Sequence, residues 1–107
     1  MPDTTPSVAV VIPCFRVSGR VQNVIARIGP EVGRIFVVDD ACPEHTGDAV
    51  ERSCADVRVT VIRHAENQGV GGAMVTGYRA ALASGADIVV KIDGDGQMDP
   101  ALIPRFI

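Results

Sequence analysis

Ile35-Phe36-Val37-Val38-Asp39-Asp40 is the stretch that decides how this chain folds. An unbroken apolar run, with no alternation of polar residues, reads as a strand buried on both faces. It then stops abruptly on adjacent carboxylates. Working outward, the same pattern recurs on both sides. Upstream, Val8-Ala9-Val10-Val11-Ile12 is another apolar run, closed by Pro13. Downstream, Ile88-Val89-Val90-Lys91-Ile92 runs straight into Asp93-Gly94-Asp95-Gly96. Between these, Val57, Val59 and Val61 alternate with polar residues, the pattern of a half-buried strand.

The intervals between the strands carry helical spacing. Val21, Val24, Ile25 and Ile28 form one apolar stripe, with Ser18 as its cap and Gly29-Pro30 as its end. A short helix is expected around Asp48–Ser53. A third, Ala-rich helix opens after Glu66-Asn67-Gln68-Gly69-Val70-Gly71-Gly72, places Met74, Tyr78, Ala81 and Leu82 along one side, and stops at Gly85. The order is therefore β-α-β-α-β-α-β. Strands alternating with helices imply an α/β fold, a Rossmann-like parallel sheet with helices on both faces. Ligands of such sheets bind beyond the carboxyl ends of the strands, where each acidic pair falls.

The bulk properties narrow the class. At 107 residues the chain is one domain, and 47% hydrophobic content with 4% aromatic content calls for an aliphatic core. A net charge of −3 without a Lys/Arg cluster argues against nucleic acid as a partner. Cys14, Cys42 and Cys54 are odd in number and lack CxxC pairing, which suits a reducing, cytoplasmic compartment and core filling rather than disulfides or zinc. Residues 1–7 read as a disordered lead-in without a signal peptide, and residues 8–107 as the structured part. No apolar run approaches the ~20 residues that cross a bilayer. Asp99-Pro100 reads as a turn and Ile103–Ile107 as the opening of a helix, so a C-terminally truncated domain is expected.

Two features could carry chemistry. Asp93 and Asp95, two positions apart, can lean to the same side of an extended chain, with glycines allowing the turn. Hard oxygen ligands of this kind suit Mg²⁺ or Mn²⁺, and a cation there neutralises a departing diphosphate. Solvated acidic turns share the same composition. Asp39-Asp40 offers an acceptor for a nucleobase N–H or a ribose hydroxyl, or else a cap for the next turn. The Gly69–Gly72 loop departs from a dinucleotide fingerprint at Met74, so close loop-to-helix packing is the expected reason for its glycines. His45 and His64 lack metal-ligand spacing and are expected at the surface. Lys91 is expected to snorkel at a sheet face.

Taken in order, Val10–Phe15, Val37–Asp40, Asn67–Ala73 and Lys91–Gln97 with Pro100 resemble the family 2 glycosyltransferases, in the branch of the dolichyl-phosphate mannose and glucose synthases. The resemblance implies the nucleotide-sugar-binding half of a GT-A fold. It also implies metal-dependent, inverting transfer from a nucleoside-diphosphate sugar to a lipid phosphate, such as a polyprenyl phosphate, or to another hydroxyl. By position, Pro13 and Phe15 would line the base and ribose pocket, with Arg16 beside them. Asp40 would bind the nucleobase, and Asp93 would sit near the ribose or the metal. Asp95 would be the principal ligand of Mg²⁺ or Mn²⁺, with Gln97 a candidate second ligand. Many members carry Tyr-Asn-Glu where this chain has Phe15-Arg16-Val17, which alters the contacts around the nucleotide. No residue here is assigned as general base, so the chain alone is expected to be inactive. A cytoplasmic setting at the membrane surface and self-association through a bare sheet edge complete these expectations. A rival outline is a receiver-like phosphoacceptor, with Asp93 phosphorylated and Asp39 and Asp40 on the metal.

Overall fold

In the computed structural model the described residues are 6–15, 20–43, 45–93 and 100. In chain order they form β1 (Val8–Cys14), α1 (Val21–Ala26), β2 (Arg34–Asp39), α2 (Thr46–Ser53), β3 (Val59–Arg63), α3 (Gly69–Ala83) and β4 (Ile88–Lys91). All strand pairs are parallel, and the sheet order is β3-β2-β1-β4. The chain therefore steps outward from β1 through β2 to β3, then returns to the opposite side of β1. Right-handed crossovers in two directions place their helices on opposite faces. This reversal decides everything about the site.

The core splits along the same lines. On one face, Val21, Val24 and Ile25 of α1 and Val50 of α2 join Val8, Val10, Ile12, Ile35 and Val37. On the other, Ala73 and Ala81 of α3 pack with Ala9, Val11, Phe36 and Val38. The alternation of a pleated strand assigns odd and even residues to the two layers. The apolar runs of β1 and β2 are continuous because both layers are dry.

Several boundaries differ from the sequence reading. Helix α1 ends at Ala26, and Ile28 reaches the core through a tighter terminal turn, its N–H donating to Ile25 O at 3.1 Å. Val57 is 98% exposed and precedes the strand. The Asp56 carboxylate there accepts the Arg58 N–H at 3.0 Å, making a local turn that delays β3 until Val59. Arg58 then donates to the carbonyls of Gly29, Val32 and Ile28 at 2.7, 2.9 and 3.0 Å, clamping the α1–β2 connection. Ser7, assigned by sequence to the lead-in, is tied to the start of β4 through Asp87, with the Ser7 N–H donating to Oδ2 at 2.8 Å. The Ser18 cap, the 99–100 turn as a whole and the 103–107 helix start lie outside the described residues. Among the described residues no helix is long and apolar enough to cross a membrane.

The largest correction concerns α3. Its buried face is Ala73, Gly77 and Ala81, whereas Tyr78 and Leu82 of the expected face are 43% and 68% exposed. Small residues at i, i+4 and i+8 let the helix axis approach the sheet. At Gly77 a Cβ would collide with the γ-methyls of Val11, which is wholly buried and stiff at χ1. Gly85 closes the helix as expected, in the left-handed conformation at φ +86°.

Gly77→Ala should therefore destabilise the fold, although alanine is the better helix former by about 1 kcal/mol. Overpacking of this kind costs about 1–3 kcal/mol. In chemical denaturation the loss should shrink when Val11→Ala is added, since the colliding methyls are then gone. Equal losses in both backgrounds would show that α3 does not sit this close to β1.

Candidate functional site

Because all four strands are parallel, their carboxyl ends share one edge. Between β1 and β4 the winding reverses, which makes this gap the switch point where ligands of open α/β sheets bind. The ladder continues beyond β4, since Ile92 N–H donates to Val11 O at 3.0 Å. Beyond β2, Asp40 N–H donates to Cys14 O at 3.1 Å. Asp40 and Asp93 thus flank the end of β1, two strand spacings apart across the sheet and two residues apart along it, or ~11–12 Å between their Cα atoms. Extending the alternation of Val11, Val38 and Val89, which face α3, places Pro13, Phe15, Asp40, Lys91 and Asp93 in that same set.

The same rule separates the adjacent carboxylates. Asp39 belongs to the α1/α2 layer and is 6% exposed. Its Oδ1 accepts the Cys42 N–H and its Oδ2 the Gly47 N–H, each at 2.8 Å. Gly47 has to be glycine for this, because a Cβ would lie 2.9 Å from Asp39 Oδ2 and 3.0 Å from Val61 Cγ1. These bonds hold the loop through Ala41 and His45, both at φ 55°, where non-glycine residues are uncommon. Asp39 caps its turn, the bland alternative of the sequence reading.

Asp40 points to the α3 layer and is 3% exposed. Oδ1 accepts from His64 Nδ1 and Gln68 N–H, and Oδ2 from Gly69 N–H, all at 2.8 Å. Its own carbonyl accepts from Asn67 Nδ2 at 3.1 Å. The first N–H groups of a helix lack intrahelical partners and carry a partial positive charge. Asp40 supplies what they need from a different element of the fold. The exchange with Asp40 accounts for the start of this stretch, at Gln68 and Gly69. Close packing, the expected reason, accounts for Gly72, where a Cβ would lie 2.5 Å from Gln68 Cβ, but not for Gly69 or Gly71, where it would meet nothing. Gly69 instead takes φ +80°, a conformation that favours glycine.

On the far side of the gap, the Asp93 side chain is 50% exposed, with Lys91 Nζ at 3.5 Å. Lys91 keeps its head group at the surface, 42% exposed, as expected. Pro13 is half-buried and Phe15 exposed at the end of β1. Arg16, Asp95 and Gln97 lie outside the described residues. Among the described residues no three His, Cys, Asp or Glu side chains converge to hold a metal ion. Asp93 nevertheless has the chemistry of one oxygen ligand, being a half-exposed carboxylate at the mouth of the gap. A cavity of about 320 Å³ lies on the α2 side instead, lined by Asp39, Cys42, His45, Asp48 and Arg63 among others. Arg63 is held there by Asp48 and Glu51, each at 2.8 Å.

His64 was expected at the surface and is not there. Its side chain is 7% exposed, bonded to Asp40 and, through Nε2, to Thr76 Oγ1 at 2.7 Å. The signal was present in β3, because His64 falls two residues after Ile62 on the face toward α3. His45 is at the surface, its side chain 76% exposed. Cys14 and Cys42 fill core positions, and burial pushes the Cys14 thiol up to about 12. The receiver-like alternative falls here. Asp39 and Asp40 point to opposite faces, and backbone N–H groups occupy oxygens of both.

With this geometry in place, the chain belongs to glycosyl transferase family 2, whose model matches residues 9–107. It is 40% identical over 74 residues to the undecaprenyl-phosphate mannosyltransferase of Micrococcus luteus, covering 68% of this chain and 30% of that protein. It is 30% identical over 111 residues to a UDP-N-acetylglucosamine–dolichyl-phosphate N-acetylglucosaminyltransferase of Methanococcus voltae, covering 91% of this chain and 44% of that protein. Among solved structures it is similar to the mannosyltransferase PcManGT of Pyrobaculum calidifontis in complex with GDP-Man and Mn²⁺, with a TM-score of 0.69 and 26% identity over 84% of this chain and 28% of that one. The Rossmann-like sheet is thus shared with GT-A glycosyltransferases, and the chain spans less than half the length of these relatives.

Burial alone would push the Asp40 carboxyl up. The hydrogen bonds from His64, Gln68 and Gly69 outweigh it and hold the group below the ordinary carboxylate range. A carboxyl depressed by folding stabilises the protein fully above its unfolded value of about 3.9, and that contribution is lost as pH falls through the folded value. The gap in melting temperature between wild type and Asp40→Asn should be widest near neutral pH and narrow below about pH 4. A gap that stays constant over this range would remove the electrostatic role of Asp40.

Proposed function

We propose that this chain is the donor-binding part of a glycosyltransferase that moves a sugar from a nucleoside-diphosphate sugar to an acceptor, with inversion and with a divalent cation. The observation that carries the reading is the placement of Asp40 and Asp93 on either side of the end of β1, at the reversal of winding. In the proposed complex the base and ribose lie over Pro13 and Phe15, with Arg16 beside them. The role for Asp40 meets a geometric constraint. Three of about four acceptor positions on an ionised carboxylate are already filled, so a nucleobase N–H has one position left, on Oδ2.

Asp93, with Asp95 and Gln97, would hold Mg²⁺ or Mn²⁺; the ion would supply charge neutralisation for the leaving diphosphate. The presence of Mn²⁺ with GDP-Man in the Pyrobaculum enzyme supports a divalent ion. Relatives named for undecaprenyl and dolichyl phosphate support a polyprenyl phosphate as acceptor, and such an acceptor would bring the reaction to a membrane surface. The general base is assigned to no residue of this chain. Among the described residues the outer sides of β3 and β4 are sheet edges, and self-association through them belongs to the same proposal.

Calorimetric titration with GDP-mannose and with UDP-N-acetylglucosamine, each with and without Mn²⁺, tests the reading. One of the two should bind in a Mn²⁺-dependent manner, and Asp93→Asn should weaken that binding at least about tenfold, a loss of about 1.4 kcal/mol. Absence of Mn²⁺-dependent binding by both would remove the assignment.

A further inference from the structure

Behind Asp40 lies a buried relay that the donor-site assignment leaves unused. His64 leaves β3 with its backbone N–H donating to Asp39 O at 2.9 Å, which anchors the residue to β2. Its ring spans from Asp40 Oδ1, 2.8 Å from Nδ1, to Thr76 Oγ1 in α3, 2.7 Å from Nε2. The proton positions follow from chemistry. An ionised carboxylate only accepts, so Nδ1 must carry a proton. In the neutral ring Nε2 is then a bare acceptor, and the Thr76 hydroxyl donates to it. Were the ring's only proton on Nε2, a lone pair on Nδ1 would face the carboxylate. The Asp40 carboxylate thus sets the tautomer, and the Thr76 hydroxyl, which can donate or accept, meets the bare Nε2 and holds the ring in place.

The relay also breaks the symmetry of the Asp40 carboxylate. Oδ1 takes two donors, from His64 and Gln68, whereas Oδ2 takes one, from Gly69. The terminal torsion of an aspartate is broad and close to two-fold, so backbone donors alone distinguish the oxygens weakly. We infer that His64 and Thr76 are positioning residues of the donor site: they fix the rotation of Asp40, leave the open acceptor position on Oδ2, and through Gln68 and Gly69 set the loop at the head of α3. This inference rests on the donor-site reading proposed above.

Thr76→Val is the informative variant, with Thr76→Ser as the conservative control and His64→Phe as the severe one. Long-range ¹H–¹⁵N spectra in mildly alkaline buffer should show His64 protonated on Nδ1 and bare on Nε2 in wild type and Thr76→Ser, whereas in Thr76→Val the bare Nε2 resonance should move, having lost the hydroxyl that donates to it. Affinity for the nucleotide sugar in Mn²⁺, measured well below each melting temperature, should fall at least tenfold in Thr76→Val and stay within twofold in Thr76→Ser. Should His64→Phe fail to fold, the threonine pair still decides the matter. A wild-type ring protonated on Nε2 alone, or wild-type affinity in Thr76→Val, would overturn the positioning role while leaving the donor site intact. If wild type binds no nucleotide sugar, the donor-site reading fails and takes this role with it, whatever the spectra show.

Discussion

The carboxylate of Asp40 is the point on which the rest of this structure turns. It sits at the end of β2, yet its partners come from the exit of β3 and the first turn of α3. A helix presents N–H groups at its start that nothing in the helix can satisfy. Here the missing acceptor comes from the neighbouring strand, with the negative charge at the positive end of the helix dipole. One side chain therefore fixes where α3 begins, how Asn67–Gly69 is shaped, and how the edge beside β1 is walled. Removing it would leave donors unpaired at two places at once, the buried His64 ring after β3 and the N–H groups of Gln68 and Gly69 at the head of α3.

Two elementary rules then divide the labour among the acids. The period of two along a strand sends Asp39 and Asp40 to opposite faces, so they do not confront each other. Asp39 is occupied in holding a loop with two left-handed non-glycine residues. The reversal of winding after β3 brings β4 to the free side of β1, and with it Asp93, which remains half-exposed. An acid with three of its acceptor positions filled thus faces an open one across the end of a single strand. The small-residue face of α3 belongs to the same design, since only a helix that lies close to the sheet can reach Asp40 with its first turn and His64 with Thr76.

Much of this was legible in the residues. The Val/Ile runs marked β1, β2 and β4, the last two ending in acids, and the helices between them implied a parallel sheet. The family resemblance rested on four ordered motifs and was met by the match over residues 9–107. What escaped were properties of approach rather than of pattern. Met74, Tyr78, Ala81 and Leu82 fall along one side of α3 at helical spacing. The actual constraint was distance, which favoured Ala73, Gly77 and Ala81, kept Met74 partly buried at the margin of that layer and left Tyr78 and Leu82 outside. Val57 fitted a strand by alternation, but the Asp56 turn outcompeted it. His64 stood in the mostly polar run Arg63-His64-Ala65-Glu66, where the alternation from Ile62 was a weak signal that its partners across the fold make good. Sheet order, on which the neighbourhood of Asp40 and Asp93 depends, is written in no local pattern.

The burial of Asp40 looks at first like an argument against a part in binding, since a side chain 4% exposed has little surface to offer. The physics of recognition points the other way. A flexible, hydrated carboxylate must lose water and rotational freedom when it takes a ligand, and those losses weaken the complex. Asp40 has undergone both changes during folding, with its orientation held by donors on three sides. A single remaining acceptor position on a buried carboxylate discriminates between a ligand group that donates a hydrogen bond and one that does not, because a mismatch leaves a buried polar atom unpaired. In the proposed complex, selection of the base is therefore settled by the network that seats α3, and the fold and the specificity of the site share the same hydrogen bonds.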